Sequence, residues 1–342
     1  MKYLVTGHTG FKGAWLSLIL KELGHSVYGI SLPAESGSLF AVANIQEKID
    51  GHSILDIRNK KEVLEEVQRI QPDITIHLAA QSLVLESYAN PITTYETNVL
   101  GTLNLLIATH EVDSSKAFLG VTTDKVYKLK SGLSPHSEDD ALGGEDPYSN
   151  SKVIADQILQ SWNVSNRLAQ KSSYTIGIAR AGNVIGGGDH NKNRLVPDLI
   201  ESIIRNDFIK LRYPTAVRPW QHVLDCLMGY LKLTEKLSKG EFGEVWNFGP
   251  NLEDIRTVEE FTKEFYTNFG LKNNWTKTEP KEKENDYLAL DSNKAQSRLN
   301  WSPKLNFTNS VSLTANWYKN VLQNKDPLSA TLADIRFYLS LG

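Results

Sequence analysis

Two short runs of the chain carry side chains able to move protons. In Tyr148-Ser149-Asn150-Ser151-Lys152 a phenol and an ammonium stand four residues apart. At that spacing on a helix the two share a face. An ammonium beside a phenol favours the phenolate, lowering a pKa that is ordinarily about 10. Such a base can take a proton from a hydroxyl while hydride leaves the same carbon. The second run is Thr122-Thr123-Asp124-Lys125-Val126-Tyr127. Thr123 can hydrogen-bond a substrate oxygen, and Asp124 and Lys125 place an acid and a cation on adjacent residues.

Hydride needs an acceptor, and the start of the chain offers a place for one. Tyr3-Leu4-Val5-Thr6 runs straight into Gly7, Gly10 and Gly13, and an apolar stretch (Trp15, Leu16, Leu18, Ile19, Leu20) follows at once. This reads as a strand, a tight turn and a helix N-terminus. Gly7 permits the turn, Gly10 lets backbone approach a pyrophosphate, and Gly13 lets the helix pack close to the strand.

The elements that must position these residues alternate along the first half. Strands are predicted at 3–6, 26–30, 52–55, 74–78, 117–122 and 174–179. Helices are predicted at 12–23, 59–70, 93–110 and 149–168. Such alternation predicts an α/β fold of Rossmann type, a doubly wound parallel sheet with helices on both faces. The strand ends at Thr6, Leu78 and Thr122 meet at one edge, where open sheets of this kind bind ligands. Beyond residue 180 the pattern changes. Helices are expected at 195–206, 222–236, 257–269 and, last, 309–323, with strands at 208–212 and 246–249 and a polar stretch at 271–287. With no Pro/Ser linker, a smaller C-terminal α/β domain is expected to interleave with the first. The boundaries are a Rossmann domain over 1–180, with parts of 215–250 returning to it, and a substrate domain over 181–214 and 251–342.

Composition excludes several classes. The 342 residues carry a net charge of -3, so nothing points to nucleic acid or to an anionic membrane. No apolar run reaches the roughly 20 residues that span a bilayer. The N-terminus shows no signal-peptide pattern, and the one cysteine, Cys226, sits in an apolar stretch as a core filler. Together these place the chain in a reducing cytoplasm. His and Cys spacing offers no metal site.

The glycine turn, Thr123 and Tyr148-x-x-x-Lys152 together resemble the extended short-chain dehydrogenase/reductase family, in its nucleotide-sugar branch. Longer runs sharpen the likeness: Gly7–Trp15, Thr123-Asp124-Lys125, Gly143–Tyr148, Arg180–Asp189 and Arg218-Pro219-Trp220-Gln221-His222-Val223 are similar to the CDP-glucose 4,6-dehydratases within that branch. The resemblance spans essentially the whole chain. It departs at His190, where that group tends to have tryptophan, and at Lys128-Leu129-Lys130.

The resemblance implies a closed redox cycle on CDP-glucose with NAD. Tyr148 would take the O4 proton while C4 gives up hydride, the C5 proton and the C6 hydroxyl would leave as water, and the hydride would return to C6. Lys152 would hold the nicotinamide ribose, Thr123 would bridge to O4, and Asp124 would protonate the departing hydroxyl. Lys125 would handle the C5 proton, either as a neutral base or as a cation stabilising the enolate; a free lysine titrates near about 10.4.

For the cofactor the implied set is Gly7, Thr9, Gly10, Phe11, Lys12, Gly13, Ser31, Asp56, Ile57, Leu78, Ala79 and Ala80, with Tyr148 and Lys152. The second strand ends in Ser31, not in the acid that usually selects NAD. The residues alone leave NAD and NADP both open; the resemblance says NAD. For the substrate the candidates are Asn183, Arg194, Arg218 and His222, arginine forks being matched to phosphate oxygens. Asn98, a poor helix former in mid-helix, hints at a supporting role. A homodimer through the helices at 93–110 and 149–168 is implied as well. The alternatives are a 4,6-dehydratase of another nucleotide sugar and a C4 epimerase on the same scaffold, which needs no acid–base pair after Thr123.

Overall fold

The fold is described from a computed structural model, over residues 1–130, 132–168, 174–273, 275–278 and 286–341. Seven strands form the central sheet: β1 (Lys2–Thr6), β2 (Ser26–Ser31), β3 (Gly51–Ile54), β4 (Ile74–His77), β5 (Ala117–Val121), β6 (Thr175–Ala181) and β7 (Val245–Phe248). Their order is β7-β6-β5-β4-β1-β2-β3, and every pairing is parallel. All carboxyl ends therefore lie along one edge. Strands buried on both faces read as continuous apolar runs, which is why they were legible. Alternate residues serve opposite faces: Tyr3 and Val5 join one core cluster while Leu4 joins the other, and Leu119 and Phe118 divide likewise.

The helices that matter for the site are α1 (Phe11–Glu22), α2 (Lys60–Ile70), α3 (Thr102–His110), α4 (Pro147–Leu168), α5 (Leu195–Arg205), α6 (Val223–Leu237), α7 (Val258–Asn268), α8 (Phe307–Leu322) and α9 (Pro327–Ser340). The helix expected over 93–110 is three pieces: a short turn at Pro91–Tyr95, a π-helical turn at Glu96–Gly101, and α3. A further helix, α9, follows the one expected to be last. It carries its own start signal, an Asp326 cap on the Ser329 amide with Pro327 at the first helical position. Within the polar 271–287 stretch, which lies partly outside the described residues, Trp275–Lys277 pairs with Ile209–Leu211. No helix among the described residues is long and apolar enough to cross a membrane.

Candidate active site

The carboxyl edge of the sheet opens into a cleft of about 1260 Å³. At its floor, the turn after β1 is built of backbone alone. Gly7 has φ +73°, donates to the Ile30 carbonyl at 2.8 Å, and accepts from the Gly10 amide at 3.0 Å. A Cβ on Gly7 would stand 2.8 Å from the Ala79 nitrogen, and one on Gly13 only 2.1 Å from the Gly7 carbonyl oxygen. Gly10 caps α1 with no side chain, so the amides of the first helical turn are left facing the cleft. This bare cradle fits a dinucleotide diphosphate. Thr9, Phe11, Lys12, Ser31, Asp56, Ile57, Leu78, Ala79 and Ala80 line the same cleft. Ser31 and Thr9 share a hydroxyl–hydroxyl hydrogen bond of 2.7 Å, and Lys12 donates to the Tyr230 hydroxyl at 3.4 Å.

Across the cleft, β5 ends in Val121 and delivers Thr123, Asp124 and Lys125 into a single 3-10 turn. Helix α4 presents Tyr148 and Lys152 beside them. The Thr123 hydroxyl donates to Asp124 Oδ1 at 3.1 Å, while Asp124 Oδ2 is buried without a hydrogen-bond partner among the described residues. Burial pushes the Asp124 carboxyl up, against the pull of Lys125, the Thr123 hydrogen bond, Arg218 and Lys12. A carboxyl raised in this way is better suited to giving up a proton than a free one.

The tyrosine differs from its expectation. Burial pushes the Tyr148 phenol up to about 12, with a Thr123 hydrogen bond opposing. Lys152 does not pull it down: its ammonium donates to the Val121 carbonyl at 3.0 Å. Burial and the Lys12 charge push Lys152 itself down to about 8. Desolvation of two groups in one dry wall outweighs the attraction inferred from their spacing.

Of the substrate candidates, Asn183, Arg194 and Arg218 line the cleft and His222 does not. Arg194 is held by Asp189 at 3.2 Å, and Arg218 is buried on a short strand paired with Arg256–Thr257. His222 is fully buried against Trp15 and caps α6, its Nδ1 accepting from the Leu224 amide at 3.2 Å. Four residues past Arg218, the chain has already turned from cleft wall to helix start.

Supporting residues were partly legible. Asn98, in the π turn, accepts from the Gln81 amide and donates to the Gln81 carbonyl and to Ser151 Oγ, each at 2.9 Å. It ties the segment after Ala80 to the catalytic helix. The pair Asp156–Arg180 was not foreseen. Its only sequence signal is that Asp156 falls one further turn along the Tyr148–Lys152 stripe.

The sequence profile described as GDP-mannose 4,6 dehydratase matches residues 4–314. The chain belongs to this dehydratase family. Within it, the chain is 39% identical to a CDP-glucose 4,6-dehydratase of Salmonella typhimurium, covering 99% of this chain and 96% of the relative. It is 27% identical to a dTDP-glucose 4,6-dehydratase of Haemophilus influenzae, over 93% of this chain and 98% of that one. A crystal structure of a Bacillus anthracis dTDP-glucose 4,6-dehydratase in complex with NAD superposes with a TM-score of 0.81 at 25% identity, covering 96% of this chain and 99% of that one. Sheet order, glycine cradle and cleft are thus those of a dehydratase-family fold, a doubly wound parallel sheet of Rossmann type.

Proposed function

We propose that the protein is an NAD-dependent hydro-lyase, a CDP-glucose 4,6-dehydratase forming CDP-4-keto-6-deoxyglucose and water. One observation carries the reaction. A buried carboxyl with one oxygen unpartnered among the described residues, Asp124, stands with Lys125 in the same cleft wall as Tyr148, so oxidation at C4 and acid-assisted loss of a hydroxyl share one pocket. An epimerase needs the tyrosine and not that acid. The choice of nucleotide rests on the 39% identity over nearly the full chain.

NAD+, when bound, would supply the hydride acceptor for C4 and, once reduced, the hydride donor for C6. Gly7, Gly10 and Gly13 hold its diphosphate, with Thr9, Phe11 and Lys12; Ser31, Asp56, Ile57 and Leu78–Ala80 hold the adenosine half and the flank of the dinucleotide. Tyr148 takes the O4 proton, and Thr123 fixes O4 by hydrogen bonding. Lys152, anchored on the Val121 carbonyl, orients the ribose. Once C4 is a ketone, the C5 proton is acidic and Lys125 takes it. Asp124 gives its proton to the C6 hydroxyl, which leaves as water. Return of hydride to C6 and of a proton to C5 closes the cycle. Asn183, Arg194 and Arg218 bind the diphosphate and nucleoside, with residues 181–214 and 251–342 forming the substrate side.

The protein works as a homodimer through the helices at 93–110 and 149–168, where Leu100 and Val164 are exposed. The buried free Cys226 fits a reducing cytoplasm. The test is incubation with NAD+ and, separately, CDP-glucose, dTDP-glucose, UDP-glucose and GDP-mannose in deuterated water, followed by mass spectrometry. Water loss with deuterium at C5 from CDP-glucose alone supports the proposal. The same loss from another nucleotide sugar overturns the nucleotide, and no loss from any overturns the reaction.

A further inference from the structure

Three consecutive residues at the end of β5 each engage α4. The Val121 carbonyl accepts from Lys152 Nζ at 3.0 Å. The Thr122 hydroxyl donates to Asp156 Oδ2 at 3.1 Å. Thr123 reaches Tyr148. On the helix, Tyr148, Lys152 and Asp156 are spaced i, i+4, i+8, one stripe of side chains. Strand and helix are therefore fastened along three turns, and the catalytic residues occupy two of them.

The third fastening is the most heavily built. Asp156 is fully buried, and its two oxygens receive Arg180 through Nε and Nη2, both at 2.8 Å. With Thr122 already counted, Gln160 adds a fourth donor at 2.6 Å. Arg180, on β6, lies two residues before Gly182, whose missing side chain leaves room for Asp124 Oδ2: a Cβ there would come within 2.9 Å of that oxygen. The guanidinium also stacks on Tyr127, 4.8 Å from its ring centre, and Tyr127 stacks in turn on His136 at 4.8 Å with ring planes 2° apart. Tyr127 directly follows the turn carrying Asp124 and Lys125, and its hydroxyl donates to Asn247 Oδ1 at 2.6 Å. One buried ion pair thus touches the tyrosine helix, the end of the acid-bearing strand and the strand beside it.

We infer that Asp156 and Arg180 are positioning residues for the dehydration: the pair locks helix α4 to strands β5 and β6, fixing Tyr148 and Lys152 relative to Asp124. The inference rests on the roles given above to Tyr148, Lys152 and Asp124. Among the described residues, the charged and titratable groups around Lys152 are Asp156 and Tyr148 on its own helix, Lys12 from α1 and His77 from β4. Behind Asp156 stands Arg180 from β6. Burial holds His77 neutral down to about 3, so Asp156 is the anion opposing Lys12. Removing its charge exposes Lys152 to Lys12 and to an unmasked Arg180, and the ammonium then loses its proton at lower pH.

The test uses holoenzyme whose wild type turns over CDP-glucose, so failure of the functional reading shows before any variant is made. Asp156→Asn is expected to lower kcat for C4 oxidation at least tenfold with KM for CDP-glucose within about threefold. The alkaline limb of the kcat profile should move to lower pH. The double variant Asp156→Asn/Arg180→Gln, which leaves no unpaired charge, should return the limb toward the wild-type pH while kcat stays low. An unmoved limb, or a kcat that falls only as far as the folded fraction does, overturns the inference. Loss of one partner of a buried pair threatens folding, so Thr122→Val is the second variant. It cuts one strand-to-helix bond and leaves the ion pair whole, and it should lower kcat severalfold at nearly unchanged Tm. Unchanged kcat in a folded Thr122→Val also overturns the inference.

Discussion

The Thr123 hydroxyl donates to one oxygen of Asp124 at 3.1 Å and leaves the other, Oδ2, buried and unpartnered among the described residues. An acid arranged this way is poised for a group that arrives with substrate. Asp124→Asn keeps the shape and removes the proton. Elimination should slow by about 10²-fold or more, the usual worth of a placed acid, while C4 oxidation is much less affected. Stopped-flow absorbance at the NADH band should show reduced cofactor building up transiently. Equal slowing of both steps would remove the acid role.

Lys152 gives the reaction an upper pH limit. With its ammonium pushed down to about 8, the charged form is full below that pH and is lost above it. The kcat/KM profile of the wild type should therefore fall as pH rises through about 8. Lys152→Met should be slow throughout and lack that limb. A variant that keeps the limb would assign it to another group.

His222 belongs to the fold and not to the cleft. His222→Ala should leave KM for the nucleotide sugar unchanged and cost about 1–2 kcal/mol from loss of the cap on α6. The pH dependence has a definite sign. Burial holds the folded histidine neutral down to about 3, below its ordinary value of 6.5. Its contribution is fully present above pH 6.5 and is lost as pH falls toward 3. The stability deficit of the variant, followed by urea denaturation, should shrink over that range. A raised KM would put His222 back in the site.

Asn98 joins the Gln81 loop to helix α4 through three hydrogen bonds. Asn98→Ala would orphan the Gln81 amide and carbonyl and free Ser151, at about 1–3 kcal/mol for unsatisfied buried groups. Because Gln81 follows the small residues lining the cofactor side, NAD affinity measured by calorimetry should weaken together with Tm. Unchanged affinity would confine Asn98 to stability.

How much was legible follows from which interactions are local. The strands were readable because both faces are buried: Tyr3–Val5, Ile74–Ile76 and Ala117–Leu119 are unbroken apolar or β-branched runs. The glycine cradle was readable because a tight turn restricts residue type at Gly7 and Gly13. Helix α9 was missed although Asp326-Pro327 announces it, because its buried positions Ala330, Thr331, Ile335 and Tyr338 make a thin apolar stripe. Tyr148, Lys152, Thr123 and Asp124 are neighbours in short motifs, and the fold brings those motifs to one cleft. The raised Tyr148 phenol was not readable, since spacing gives proximity and says nothing of desolvation. Nor was Asp156–Arg180, whose partners meet only once α4 is known to pack against β6.

The central claim is that hydride leaves C4 and returns to C6 of the same sugar. CDP-glucose carrying deuterium at C4, turned over by the holoenzyme in ordinary water, tests it directly by NMR of the product. The expected result is a 4-keto-6-deoxy sugar with the deuterium on C6 and no net NADH. Deuterium found back on C4 of an intact sugar, as an epimerase would leave it, or lost altogether, would contradict the claim.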